Sequence, residues 1–260
     1  MKQQTLTGFE RFGKTTRRAQ FLSDMERIIP WTELAAAIEP VYPKGSDAGG
    51  RAPIPLERNK LGKTLLKAVN QYLHENGIKI ANGTIVDATI INAPSSTKNK
   101  DGECGPEMHQ TAKGRQWYFG MKAHIGVDSR SKLIHTVLVS AANVGDALAL
   151  PHLLHGQETR VWGDQAYRGQ KQAMRAVAPR ARDFTNQRYR WGSRIDERVK
   201  ATNRNKSRVR AKIEHTIGVI KRVFGFQKVR YRGLAKNLHR LEVTAALANL
   251  YTVRRRLLAT

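Results

Sequence analysis

The stretch Gly83-Thr84-Ile85-Val86-Asp87-Ala88-Thr89-Ile90-Ile91 constrains this chain more than any other: it is an apolar, β-branched run with one carboxylate near its middle. Val, Ile and Thr favour strands, and a short run apolar on both faces suits a central strand covered on both sides. A buried Asp without a partner is costly, because desolvating a charge costs more than a hydrophobic strand position returns. Asp87 therefore needs a cation, a hydrogen-bond network or a functional pocket. The plainer alternative is a strand-end Asp satisfied by backbone amides.

Two other places bear on that choice. Residues 158–169 read as a short strand over 160–162 running into a turn at Gly163 and Asp164. An Asp at the end of a parallel strand sits where α/β sheets place their ligands, outside the carboxyl edge. Residues 207–224 carry the clearest helical period in the chain. Val209, Ile213, Ile217, Ile220 and Phe224 make one apolar stripe, with Glu214 beside it. Arg210 stands one turn before Glu214 and Lys221 two turns after it, so all three fall close to one face. Gly218, on the same face, costs about 1 kcal/mol of helix propensity and reads as a point where another backbone approaches closely. From 198 to 256, seventeen Lys and Arg accompany only two acids, Glu214 and Glu242. An intrahelical pair with Arg210 would be worth only roughly a few tenths of a kcal/mol, and it leaves two strand-borne acids unexplained.

The order strand Asp, strand-end Asp, helix Glu resembles the DDE transposases of bacterial insertion sequences, and most closely the insertion sequence five group. Four segments carry the resemblance: 83–90; Trp117-Tyr118-Phe119-Gly120-Met121-Lys122-Ala123-His124; Val161-Trp162-Gly163-Asp164-Gln165-Ala166-Tyr167-Arg168-Gly169; and 210–221. The last is similar to the family's Tyr-x2-Arg-x3-Glu-x6-Lys signature, with Arg210, Glu214 and Lys221 in place and Ser207 where many relatives have Tyr. The resemblance runs from about residue 61 to 258, plus the N-terminal stretch to about 42. It implies an α/β fold, a ribonuclease-H-like mixed sheet flanked by helices, with a small helical N-terminal region. The chain then divides at 1–55, a DNA-binding region and linker, and 56–260, the catalytic domain. Relatives carry a longer helical segment between the equivalents of Tyr42 and Leu56, so the N-terminal part reads as shortened.

Composition agrees with a polyanionic partner. The 260 residues carry 46 Lys and Arg against 21 Asp and Glu, a formal net charge of +25, and such an excess points to nucleic acid. No basic amphipathic anchor stands out for a membrane surface, and no apolar run is long enough to span a bilayer. The single cysteine, Cys104, excludes an intrachain disulfide and a paired-cysteine zinc site. The expected location is the bacterial cytoplasm, at the nucleoid.

Helices are predicted over 14–29, 31–39, 61–76, 143–155, 170–177 and 234–258, a linker over 43–55, and a weak strand over 182–185. Residues 92–115 read as a long polar loop, in which Lys98, Lys100, Lys113 and Arg115 follow a phosphate backbone or are merely solvated. Residues 117–128 and 132–140 read as a hairpin, with Lys122 and His124 outward on one face. His124 and His135 read as neutral, satisfied histidines rather than metal ligands. Residues 188–206 read as a basic connector in which Tyr189 and Trp191 stack on unpaired bases or simply pack. The resemblance implies that Arg17 and Arg18 help bind the terminal inverted repeats, and 226–233, with Lys228, Arg230 and Arg232, is placed along the DNA.

Three carboxylates suit phosphodiester chemistry, which needs an activated nucleophile, a stabilised leaving oxygen and neutralised phosphate charge. Two Mg²⁺ ions supply all three, with Mn²⁺ able to substitute. Asp87 is expected to bridge both ions, with Asp164 on one and Glu214 on the other; Arg210, Lys221 and Lys122 would bind phosphates. The resemblance implies strand cleavage at element ends, then attack of the freed 3′-hydroxyl on target DNA, in a homodimer assembled on duplex DNA. An inactive DNA-binding remnant and a stand-alone metal nuclease are the alternatives.

Overall fold

The computed structural model describes residues 16–42, 60–95 and 105–259. Its centre is β1, Gly83–Asn92, a strand of 10 residues whose first four are buried. Strand β3, Gln116–Asp128, pairs antiparallel with β1 from Thr84↔Asp128 to Asn92↔Gly120. Strand β4, Ile134–Ala141, pairs antiparallel with β3. On the other edge of β1, β5 (Arg160–Trp162) pairs parallel, and β6 (Arg182–Asp183) pairs parallel with β5. An antiparallel meander continued by parallel strands is the sheet of a ribonuclease-H-like core, and the mixed α/β architecture agrees with the expectation.

Helices cover both faces. The larger core gathers Ile85, Ile91 and Ile125 of the sheet with Leu66, Val69 and Leu73 of α3 (Leu61–Glu75), Ile213 of α6 (Glu197–Gly218) and Leu241 and Leu250 of α7 (Leu234–Leu257). The smaller core sets Val86 and Val161 against Leu150, Leu153, Tyr167 and Met174, the last on α5 (Lys171–Val177). The period-2 alternation of a strand explains the split: Ile85 and Ile91 face α6, and Val86 faces the other layer. Asp87, in phase with Ile85, is thereby turned toward α6.

Helix α1 (Arg17–Ile28) is capped by Thr16, whose Oγ1 accepts from the Ala19 amide at 3.1 Å. It packs on α7 through Phe21, 5.8 Å from the Tyr251 ring centre. Helix α2 (Trp31–Ile38) runs on as a 3₁₀ turn, Glu39–Val41. Asn249 of α7 is buried and ties that helix to the start of β4: its Oδ1 accepts from the Ile134 amide at 2.7 Å, and its Nδ2 donates to the Ile134 carbonyl at 2.8 Å.

Several elements depart from the sequence expectations. Of the long polar loop, 96–104 lies outside the described residues, as does the linker over 43–55, but His109–Lys113 is a strand, β2, paired with the first half of β3. Polar cross-strand pairs form such a ribbon without the apolar alternation that would announce it. Gly120, at φ 156°, is where β3 passes from β2 to the core sheet, and a Cβ there would collide with the Ile91 carbonyl. The helix expected over 143–155 is only α4, Asp146–Ala149, followed by a 3₁₀ turn, Leu150–Leu153; Pro151 has no amide to continue an α-helix. Residues 188–206 are not all connector: β7 (Arg190–Trp191) and β8 (Arg194–Ile195) make a small ribbon, and α6 starts at Glu197, capped by Asp196. That helix ends in a π-helical turn, Val219–Val223. His124 is not outward but fully buried. Beside Gly218 no atom of another segment lies within 4 Å of a Cβ position, so no backbone approaches it among the described residues.

Candidate active site

Each of the three acids is delivered by a different element. Asp87 stands mid-strand on β1. Asp164 follows the end of β5 and caps a 3₁₀ turn, Gln165–Tyr167, its Oδ1 accepting from the Ala166 amide at 2.9 Å. Glu214 projects from α6, whose stripe is seated by buried Ile213 and Ile220 with Val209, Ile217 and Phe224 partly buried around them. All three line one cleft of about 700 Å³, together with Arg210, Lys221 and a fourth acid, Asp146. A second cleft of about 830 Å³ shares Asp164 and Arg210 with it and runs along α6 past Lys200, Arg204 and Ser207.

Burial pushes the Asp87 carboxyl up to about 6; the Ala88 amide and Arg210 pull it down, and Asp164 and Asp146 push it up. Its Oδ1 accepts from the Ala88 amide at 2.8 Å, so the backbone satisfies one oxygen. Its Oδ2 lies 3.9 Å from Arg210 Nε. That Nε is buried without a hydrogen-bond partner among the described residues. Lys221 Nζ donates to the Ile90 carbonyl at 2.8 Å. Lys122 is turned inward: Nζ donates to the Val144 carbonyl at 2.7 Å and stands 2.8 Å from Asp146 Oδ1. Tyr167 is fully buried, its hydroxyl has no partner among the described residues, and burial first, then Asp146, Asp87 and Asp164, hold its proton on, with Arg210 opposing.

The donor set is all carboxylate, which suits a hard divalent cation, and a buried carboxyl raised by burial and by neighbouring acids is relieved by such a charge. The residues fit the group by chemistry. Among the described residues, no three His, Cys, Asp or Glu are drawn together tightly enough to form a ready cage. The acids line the cleft without closing on one point.

The remaining sequence-derived residues are spread more widely. Arg17 and Arg18 are exposed on α1. Lys228, Arg230 and Arg232 are exposed on the segment after α6, which is pinned to the end of β1 where the Val229 amide donates to the Asn92 carbonyl at 2.9 Å. His124 and His135 are neutral. Burial holds His124 down to about 4, with Lys122 adding to it and Asp146 opposing; burial and then His155 hold His135 down to about 3. His135 bonds Thr84 and Thr136, and His124 bonds Ser140 through Nε2 while Nδ1 is left without a partner among the described residues.

Asp146 was not legible as a site residue. It sits in the first turn of a four-residue helix, where an acid is ordinary. Lys113, read from the sequence as a loop cation, stands instead on the β2–β3 ribbon, the other missed contribution, where with Thr111 and Tyr118 it forms a wall of the same cleft.

A family model described as "Transposase DDE domain" matches residues 79–250, which contain Asp87, Asp164 and Glu214. Among solved structures, the chain is similar to a piggyBac transposase seen by cryo-EM in a synaptic complex with hairpin DNA. The identity is 9% and the TM-score 0.44, over 91% of this chain and 66% of that one, so this chain spans just under two thirds of that protein's length.

Proposed function

The chain belongs to the transposase DDE domain family, and from that premise we propose that it cuts and joins DNA at the ends of a bacterial insertion sequence of the insertion sequence five group. The observation that carries the reading is the convergence of Asp87, Asp164 and Glu214, from three separate elements, on one cleft that also holds Arg210 and Lys221. A net charge of +25 supplies the attraction to duplex DNA.

In this reading Asp87, Asp164 and Glu214 hold divalent cations, with Mg²⁺ the expected species. When bound, such an ion supplies Lewis-acid stabilisation of the phosphoryl oxygens and lowers the pKa of an attacking water. Arg210 offers a planar fork whose Nε has no hydrogen-bond partner among the described residues, and so receives a phosphate without first breaking a hydrogen bond there. Lys221, partly desolvated, adds a point charge at the floor of the cleft. Asp87 is anchored through Oδ1 to the Ala88 amide, which leaves Oδ2, 3.9 Å from Arg210 Nε, as the oxygen that would ligate a cation. Arg17 and Arg18 in 1–55 contribute to recognition of the inverted repeats, Lys228, Arg230 and Arg232 track the backbone, and two copies assemble on DNA.

The test is a mini-element bearing the native flanking repeats, incubated with the protein and Mg²⁺. Nicking at the element ends followed by strand transfer is expected, and Asp164→Asn or Glu214→Gln should abolish both. Nicking without transfer would make the protein a metal nuclease. DNA binding with neither step, from folded protein, would make it an inactive remnant.

A further inference from the structure

The β2–β3 ribbon extends beyond the β1–β3 pairing and contributes lining residues to the cleft. Its register assigns the faces. Thr111 pairs with Tyr118 and Lys113 with Gln116, so these four side chains share one face, and Tyr118 hydroxyl donates to Gln116 Oε1 at 2.8 Å. Thr111, Lys113 and Tyr118 of that face line the candidate active site. Trp117 lies on the opposite face and is 71% exposed.

Across the cleft stands Lys221. It sits in the π-helical turn Val219–Val223, and π turns of this kind recur where a helix re-aims a side chain at a functional site. Its Nζ is pinned to the Ile90 carbonyl, on the strand that pairs with β3 at Ile90↔Lys122. Among the described residues Lys113 has no ion-pair partner. Burial and the facing charge of Lys113 both lower the Lys221 ammonium from its ordinary value. Two cations that line one cleft and repel one another are relieved by an anion bound there. Of the four acids of the cleft, Asp87 faces Arg210 and Asp146 is held by Lys122, and among the described residues neither Asp164 nor Glu214 forms an ion pair with Lys113 or Lys221.

We propose that the β2–β3 ribbon and the turn after α6 are two jaws of a phosphate-binding subsite, in which Lys113 and Lys221 grip one phosphodiester of the DNA strand entering the candidate active site. The ligand class is a nucleic-acid phosphodiester, because the cleft is open, polar and continuous with the second cleft along α6. The inference rests on the reading of the cleft as the DNA-processing site, and it adds a binding residue on an element that reading did not use.

The test compares Lys113→Ala and Lys113→Arg with Arg130→Ala, which removes the same charge from the exposed turn at the other end of β3. Affinity for a labelled element-end duplex is measured across a salt series, and nicking in Mg²⁺ is followed in parallel. Lys113→Ala should lower the slope of log affinity against log salt by about 0.7–0.9, the loss of one phosphate contact. Lys113→Arg should keep the wild-type slope, and Arg130→Ala should leave it unchanged. Thermal melts confirm that each variant is folded. A Lys113→Ala slope equal to that of Arg130→Ala overturns the inference. If that happens while wild type nicks and Asp87→Asn does not, only the subsite falls. If the slope drops as expected but wild type never nicks, the subsite stands and the catalytic reading falls.

Discussion

Arg210 Nε lies 3.9 Å from Asp87 Oδ2, within reach of an ion pair but beyond a hydrogen bond, and no other group among the described residues satisfies that nitrogen. The two side chains are 23% and 17% exposed, and so loose a pair contributes about 0–1 kcal/mol. Arg210→Met, which keeps the stem, should therefore shift the melting temperature only slightly while weakening DNA binding and nicking at least about tenfold, as expected for a lost charge-assisted contact. A large drop in stability with intact nicking would assign Arg210 a structural role instead.

Asp87→Asn separates catalysis from folding. The free protein holds this carboxyl in a buried place beside Asp164 and Asp146, where its charge is disfavoured. Removing the charge should leave metal-free stability equal or higher, abolish Mg²⁺-dependent nicking, and leave DNA affinity equal or higher. Melts with and without Mg²⁺, run beside a nicking assay, check all three; nicking by the folded variant would remove Asp87 from the mechanism.

Gly218 has helical backbone angles, φ −60° and ψ −41°, and open space where a Cβ would stand. Gly218→Ala should thus stabilise the protein by up to about 1 kcal/mol through helix propensity alone. A denaturant titration reads this directly. Destabilisation would show that a partner backbone, such as bound DNA or a second copy, is already present in the sample.

Glu242 governs a pH effect far from the active site. Burial pushes its carboxyl from 4.5 up to about 7, with the ammonium and backbone amide of Lys63 only partly offsetting it; His239 also faces it, 4.0 Å away. The folded state holds this proton more tightly than the unfolded chain does. Its stabilising contribution is therefore complete below pH 4.5 and is lost as pH rises through 7. Glu242→Gln should raise stability at about pH 8 by about 1–2 kcal/mol, with the gain shrinking toward pH 5. Equal gains at both pH values would show that ionisation is not the cause.

What the sequence determined by itself was everything encoded in a local period. The β-branched run made β1, the strand over 160–162 fell where β5 lies, and the stripe from Val209 to Phe224 set which face of α6 is buried. With those faces known, Asp87, Asp164 and Glu214 could be read as three acids on three core elements. Tertiary structure decided the rest, because it depends on groups distant in the chain. Whether Lys122 meets solvent or Asp146 depends on how a short turn folds back over β3. Whether residues 109–113 are loop or strand depends on pairing with β3, since polar residues such as Gln110 and Thr111 carry no apolar alternation of their own. Burial of His124 beside Asp146 and proton retention by Glu242 beside Lys63 likewise depend on groups distant in the chain. Local patterns report which side chains must leave water; only the packed fold reports which charges are left facing one another.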